Sequence, residues 1–562
     1  MTQGGARWPR RLRSGGLDRT TGRDARRANV AAGRALAATL RTTLGPAGRD
    51  KLLVGTDGLA VVTNDGASIL DRMEIEHPAA SLLYEVASEQ AERVGDGTTT
   101  AVLLAGALLE GAEGLFEQGV HPGIVTAGYH HACSRALETL STLTLGDDPT
   151  DRATLVSVAR TAITGKWSEP EATRVADLAA DAVLAVSDGS EVDRHRITLQ
   201  GVPGGSPGDA EFVDGLVVDM GESSATADDR AIHLPRRFAD ARIALVDAPL
   251  GAKQANATRA VTVEGTDGLD AIAAHEERQL REQLERIADA GTDAVFCQQA
   301  IDDVLRSRLA RRGILAVERT RQDEMYKLAR ATGGTLVASV EELTPEALGR
   351  AGVVERRRVA GRDLTVVRGN PDSKQVSLLL RGGTQHAIDE TRRLVEDCLT
   401  VVTLALLYGD LLPGGGATEA ELAADLRGFA LEFDGREQLA IEAAAGALET
   451  VPRTLAENAG ASPIDALADL RASHDRGEVT AGIDAADGSV ADVSARGVVE
   501  PLAVKRRAIA GATEAANLLL RIDDVVAARD GDARGHDHDH DHGIGGDHGG
   551  GQRGGYPWAI GH

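Results

Sequence analysis

Lysine is nearly missing from this chain. Among 562 residues there are only Lys51, Lys166, Lys253, Lys327, Lys374 and Lys505, although lysine and arginine together number 61. The net charge is −25. An acid-heavy, lysine-poor surface argues against nonspecific nucleic-acid binding, which depends on cations laid along phosphates. It fits a protein kept soluble at high salt, where screening shrinks to about 3 Å at 1 M and self-repulsion costs little. A GC-rich genome favours the same choice of arginine over lysine, so both origins stand.

Cysteine is scarce as well. Cys133, Cys297 and Cys398 lie far apart with no CxxC spacing, as expected of small core residues in a reducing compartment. No uninterrupted apolar run reaches the length of a membrane span. The N-terminal MTQGGARWPRRLRSGG is basic but lacks the apolar stretch of a signal peptide. A cytoplasmic protein with a disordered N-terminal tail is expected. No GxxxxGK[ST] sequence occurs, which excludes a Walker-type ATPase.

What is present is a long chain, 42% hydrophobic, too large for one core and suited to about three domains. Residues 22–43 have a helical pattern with Ala and Leu on one face, stopped by Leu44-Gly45-Pro46. KLLVG and LAVVT around Thr56-Asp57-Gly58 predict a strand pair, and TNDGASIL a turn entering a helix. From Pro78 to about Leu143 the pattern is helical, broken at Gly95-Asp96-Gly97 and at His121-Pro122-Gly123. Between about 240 and 340, RIALV, DAVFC, GILAV and GTLVAS alternate with helical stretches, which predicts an α/β unit with a parallel sheet. Residues 264–290 predict a long charged helix, by itself a solvated surface helix. From about 385 the chain is helical again, so the α/β unit is expected as an insertion in a helical one.

Four loops ask for one explanation: TTLGPAG (42–48), TNDGAS (63–68), GDGTTT (95–100) and LPGGGATE (412–419). Each places glycine beside hydroxyl, acidic or small residues at an element boundary. Glycine lets another molecule approach the backbone, and a helix start attracts phosphate through its unsatisfied N–H groups. Asp96 would repel phosphate unless Mg²⁺, which takes one or two carboxylates plus phosphate oxygens, stood between them. The simpler alternative is an N-terminal cap in which Asp96 complements the helix dipole. Together the loops predict a phosphate site built from both ends of the chain.

TTLGPAGRDKLLV, VVTNDGASIL, GDGTTTAVLLAGALL, LPGGGATEAELA, PRTLAENAGASPIDAL and VVEPLAVKRRAI…LLLRIDDVVAA resemble, in order and spacing, the signature stretches of chaperonins. TNDGASIL, PRTLAENAG and LLRIDDVVA resemble the group II branch, the archaeal thermosome and its eukaryotic cytosolic relatives. The resemblance runs from about Gly22 to Arg529. It implies a multi-domain α/β and α chaperonin fold. After a tail at 1–21, a mainly helical equatorial ATPase domain is expected at 22–145 and 403–529. A hinge-like intermediate domain follows at 146–214 and 369–402, and an inserted α/β apical domain at 215–368. The stretch at about 250–290 falls where that branch carries a helical protrusion acting as a built-in lid, so no separate co-chaperonin is implied. Implied partners are unfolded or partly folded client proteins and self or paralogous subunits in a double ring, with no nucleic acid and no membrane.

The resemblance also implies ATP and Mg²⁺ as ligands. Asp96 matches the metal-holding aspartate, and Gly97 with Thr98, Thr99 and Thr100 the phosphate-binding start of the helix. Thr43, Leu44, Gly45 and Pro46 match the loop on the other side of the phosphates. Gly415 and Glu500 match the sugar side, and Lys166 a lysine that senses the γ-phosphate. Asp397 matches the main water-activating carboxylate and Asp65 its partner. Without the resemblance, Asp65 reads as a turn former and Asp397 as an exposed helical acid beside Arg393. Trp167 and Ser168 depart from the small residues common after the lysine, and LLYGDLLPGGG from the usual acidic turn. A non-hydrolysing ring partner is the competing function, disfavoured by the intact Asp65, Asp96 and Asp397. An ordinary phosphotransferase would need a substrate pocket that no motif indicates. The terminal 530–562 stretch, with His536, His538, His540 and His542 alternating with acids, is expected as a solvated tail. Loose metal binding is the alternative there.

Overall fold

The computed structural model describes residues 17–55, 60–189, 191–220, 235–251, 266–369 and 373–528. Both ends of the chain build one helical body. Gly22–Arg41, Pro78–Val94, Thr98–Glu117 and Pro122–Leu140 come from the first part, and Ala417–Ala430, Arg436–Leu448 and Leu502–Arg521 from the last. They share one continuous core, from Val30 and Leu40 through Leu109 and Tyr129 to Ile441 and Leu519. Thr98–Glu117 is apolar around most of its circumference, and such a helix must be buried. It is long and apolar enough to cross a membrane by composition. Here it is a central core helix, with Ala101, Ala105, Leu109 and Ala112 fully buried between Gly22–Arg41 and Leu502–Arg521.

Leu17–Thr21, counted by sequence with the N-terminal tail, is instead a strand, antiparallel to Asp524–Ala528. LDRTT carries no strand signal of its own; its hydrogen-bond partners lie at the far end of the chain. The strand pair Lys51–Val54 and Ala60–Thr63 forms as expected, while the turn at 56–59 lies outside the described residues.

A second core lies under helices Arg152–Ala162, Glu169–Val186 and Gln385–Tyr408. They cover a sheet in which Val376–Gly382 pairs in parallel with Ile197–Pro203 and antiparallel with Glu211–Asp214. Helix Gln385–Tyr408 passes through residues 402 and 403 without a break and contacts helix Pro78–Val94 of the helical body.

The middle of the chain forms a seven-stranded sheet. Arg237–Val246, Ala294–Cys297, Leu315–Val317 and Leu336–Val337 make its parallel half, as the alternating pattern predicts. Leu216–Asp219, Gly349–Val359 and Arg362–Arg368 add an antiparallel half that the pattern does not reveal. Arg356, Arg357 and Arg358 mask the strand periodicity there, and the hairpin turns on Ala360 and Gly361 at φ 49° and 86°. The charged helix runs from Thr266 to Asp289. Its second half is not merely solvated: Leu280, Leu284 and Ile287 are buried in the core beside the parallel strands. Residues 252–265 of the stretch expected as a lid, and the His/Asp stretch at 530–562, lie outside the described residues.

One buried acid ties three helices of the body together. Glu449, 1% exposed, precedes Thr450–Asn458 and receives both prongs of Arg471 at 2.7 and 2.6 Å. Arg427 reaches it at 2.7 Å. Burial pushes its pKa up, but the arginine hydrogen bonds outweigh this and hold it below the usual 4.5. Glu449→Ala is expected to cost about 2 kcal/mol in denaturant unfolding, the scale of a lost charge-assisted bond. Because the folded pKa is depressed, this stabilisation is complete above pH 4.5 and fades as pH falls through the folded value. The wild-type Tm should therefore drop more steeply on acidification than that of the variant.

Candidate functional site

The loops singled out by sequence surround one cavity of about 670 Å³. Its walls carry Thr43, Leu44, Gly45 and Pro46; Asp65; Asp96, Gly97, Thr98, Thr99 and Thr100; Lys166; Asp397; Gly415; and Glu500. The structure thus brings every sequence-predicted site residue to one place, although they come from both ends of the chain and from the second core.

The geometry starts at Gly95, which ends helix Pro78–Val94 at φ 70°, a conformation that disfavours any side chain. A Cβ there would stand 2.6 Å from the backbone oxygen of Asp397. The missing side chain lets helix Gln385–Tyr408 rest on the loop, which is how Asp397 comes beside Asp96. Gly97, at φ 79°, then opens helix Thr98–Glu117 without any side-chain cap. Asp96 Oδ1 instead accepts the N–H of Gly97 itself, at 2.6 Å. The first N–H groups of the helix are left to the cavity, with its positive dipole end. Buried Gln90 braces the loop from behind, donating to the carbonyl oxygens of Asp96 (2.8 Å) and Val504 (3.2 Å).

On the facing side, Asn64 donates to the carbonyl oxygen of Gly165 at 2.8 Å and ties the Lys166 loop to the TNDG turn. Asp65 caps helix Gly66–Arg72 through the Ser68 N–H. Its Oδ1 meets Lys166 Nζ at 3.4 Å and its Oδ2 meets Arg393 Nη2 at 2.8 Å. Burial would raise its pKa, but Lys166 and Arg393 overcome this and hold it low. Both oxygens of Asp65 are thereby engaged. Among the described residues Asp397 makes one ion pair, from Oδ2 to Arg393 Nη1 at 2.9 Å. Burial pushes its pKa up to about 7, with Asp65 and Asp96 adding to the rise and Arg393 opposing it.

Asp96 differs from both. Burial and the nearby Glu500 push its pKa up to about 7, against the Gly97 N–H and the more distant Lys505 and Lys166. Among the described residues, no lysine or arginine is within ion-pair distance of it. Nor does any group of three His, Cys, Asp or Glu residues among them form a metal site. A buried carboxylate without a cation, beside an uncapped helix start, fits a divalent ion that brings phosphate oxygens as its other ligands.

Beyond the helix start, strand Val499–Pro501 pairs with Leu411–Pro413 and sets Glu500 beside the glycine loop. Glu500 Oε2 meets Lys505 Nζ at 2.9 Å, and Lys505 also meets buried Glu419 at 2.6 Å. Sequence reasoning singled out neither Lys505 nor Glu419, and treated Arg393 only as a neighbour of Asp397. The rarity of lysine was the available signal for Lys505; for Arg393 it was the i,i+4 spacing to Asp397.

This assembly can be set beside known proteins. Residues 36–530 match the profile of the TCP-1/cpn60 chaperonin family. The chain is 47% identical over 521 residues to a thermosome subunit of Methanopyrus kandleri, covering 92% of this chain and 94% of that one. It is 46% identical over 512 residues to thermosome subunit 1 of Haloferax volcanii, covering 91% and 90%. Thermosome subunit alpha of Halobacterium salinarum gives the same identity over the same length. The chain belongs to the TCP-1/cpn60 chaperonin family. Within it the chain falls in the group II branch, and it is a molecular chaperone of an ATP-dependent family.

Gly95→Ala should show how far the site depends on backbone approach. The left-handed φ alone costs about 1–2 kcal/mol, and the contact with Asp397 forces the two segments apart. A lowered unfolding free energy is expected together with weakened ATP binding; unchanged values for both would mean that helix Gln385–Tyr408 can shift without consequence.

Proposed function

We propose that this chain is the ATP-hydrolysing subunit of a double-ring folding chamber closed by its own apical helices. The observation that carries this reading is the cavity itself. An uncapped helix start, Asp397 and an Asp96 with no ion-paired cation among the described residues line one space of about 670 Å³. When bound at Asp96, Mg²⁺ would neutralise phosphate charge. The N–H and hydroxyl groups of Thr98, Thr99 and Thr100 bind phosphate oxygens, and Thr43–Pro46 closes over them from the other side. Lys166 lies where it can meet the terminal phosphate. Gly415 allows the sugar to approach the backbone, and Glu500 accepts hydrogen bonds from its hydroxyls. Asp397 orients the attacking water and takes its proton. Asp65, with both oxygens engaged by Ser68, Lys166 and Arg393, fixes the electrostatics around that water.

In this reading the helical body is the equatorial ATPase domain, the second core the intermediate hinge, and the seven-stranded sheet the apical domain. The apical domain binds unfolded or partly folded clients, and the segment around 250–290 closes the chamber without a separate co-chaperonin. Copies of this chain or paralogous subunits complete the rings, in the cytoplasm.

Two substitutions separate binding from chemistry. Asp397→Ala should leave ATP affinity nearly unchanged and slow turnover by about 10²–10⁴-fold, the usual worth of a positioned base; wild-type turnover would remove the assignment. Asp96→Ala should instead weaken ATP binding and abolish its dependence on Mg²⁺, measured by calorimetry with and without the metal. An unchanged metal dependence would return Asp96 to a capping role.

A further inference from the structure

Arg393 joins the two acids of the proposed hydrolytic site although it does not itself line the cavity. One prong, Nη2, meets Asp65 Oδ2 at 2.8 Å, and the other, Nη1, meets Asp397 Oδ2 at 2.9 Å. Glu390, one turn earlier on the same helix, meets Nη2 at 3.3 Å and accepts from Thr63 Oγ1 at 3.0 Å and Ser68 Oγ at 3.2 Å. The side chain of Arg393 is 27% exposed, so these bonds are partly shielded from water. The TNDG turn and helix Gln385–Tyr408 are therefore held in one array with the guanidinium at its centre.

We propose that Arg393 is a positioning residue for ATP hydrolysis, holding Asp65 and Asp397 at a fixed separation so that Asp397 keeps Oδ1 for the attacking water. This rests on the reading that Asp397 activates that water. In the step concerned, the water oxygen bonds to the γ-phosphorus as the bond to the ADP oxygen breaks, and the water proton passes to Asp397. A guanidinium suits the task because its planar fork sets the angle between two acceptors, which a lysine point charge does not. Charge distribution points the same way. Arg393 and Lys166 face Asp65, Asp397 and Glu390; Asp65 is ion-paired to both cations, while among the described residues Asp397 is ion-paired to Arg393 alone. Arg393 draws the proton affinity of Asp397 down against burial. The phosphate-binding features, Thr98–Thr100 and Thr43–Pro46, make no bond to it.

The test is steady-state ATP hydrolysis by the assembled full-length protein, with wild type, Asp397→Ala, Arg393→Met and Arg393→Lys compared at saturating Mg²⁺. Arg393→Met should lower kcat by about 10²-fold, with KM and calorimetric ATP affinity within about twofold of wild type. Arg393→Lys should recover about a tenth of wild-type kcat, by restoring charge without the fork. Wild-type kcat in Arg393→Met would overturn the proposal. So would a kcat loss matched by equal losses of ATP affinity and Tm, the signature of an architectural role. Normal turnover in Asp397→Ala would mark a failure of the underlying reading instead, and would take this inference with it.

Discussion

The site depends on one close approach: the backbone of Gly95 against that of Asp397. The two residues lie in segments that share no local sequence relationship. Gly95 ends a helix of the body, and Asp397 sits within a helix whose core residues Val395, Leu399 and Val402 belong to the second unit. A side chain at Gly95 would occupy space already filled by that helix. The contact thus couples the uncapped start of helix Thr98–Glu117 to Asp397, and any tilt of helix Gln385–Tyr408 alters the cavity wall. A hinge movement of the second core would be transmitted to the cavity by the same rigid helix.

Around this contact acidic side chains outnumber cationic ones. Asp65, Asp96, Asp397 and Glu500 all line the cavity, where the only lysines among the described residues are Lys166 and Lys505. Two of the six lysines in the chain thus stand at one site. The acids are sorted by their partners rather than by their type. Asp65 is tied on both oxygens, Glu500 shares Lys505 with Glu419, and Asp397 retains an oxygen outside its ion pair. Asp96 has no cationic partner among the described residues. For buried carboxylates such differences matter more than they would at a surface, and they give residues of the same chemical kind different partners and proton affinities.

Much of the helical body was legible in advance. The helices from Gly22 to Leu140 have strong periodicity and glycine or proline punctuation, both of which are local signals. The parallel strands showed as short apolar runs. The antiparallel half of the large sheet did not, because Arg356, Arg357 and Arg358 break the alternation, and a strand is recognised by its neighbours as much as by its residues. Leu17–Thr21 was missed for the same reason, since its partner is Asp524–Ala528. In the charged helix Thr266–Asp289, the many acids and arginines concealed the apolar stripe of Leu280, Leu284 and Ile287 that enters the core.

By itself the sequence determined which glycine-rich loops stand at element boundaries, where the chain changes from helical to α/β, and which family the chain resembles. These rest on residue types and short spacings, which survive without coordinates. Only the tertiary structure decided that Asp65, Asp96 and Asp397 share one cavity, that Arg393 bridges two of them, and that Lys505 lies between Glu419 and Glu500. Such relations are set by packing between segments hundreds of residues apart, and no periodicity within a single segment encodes the distance to another.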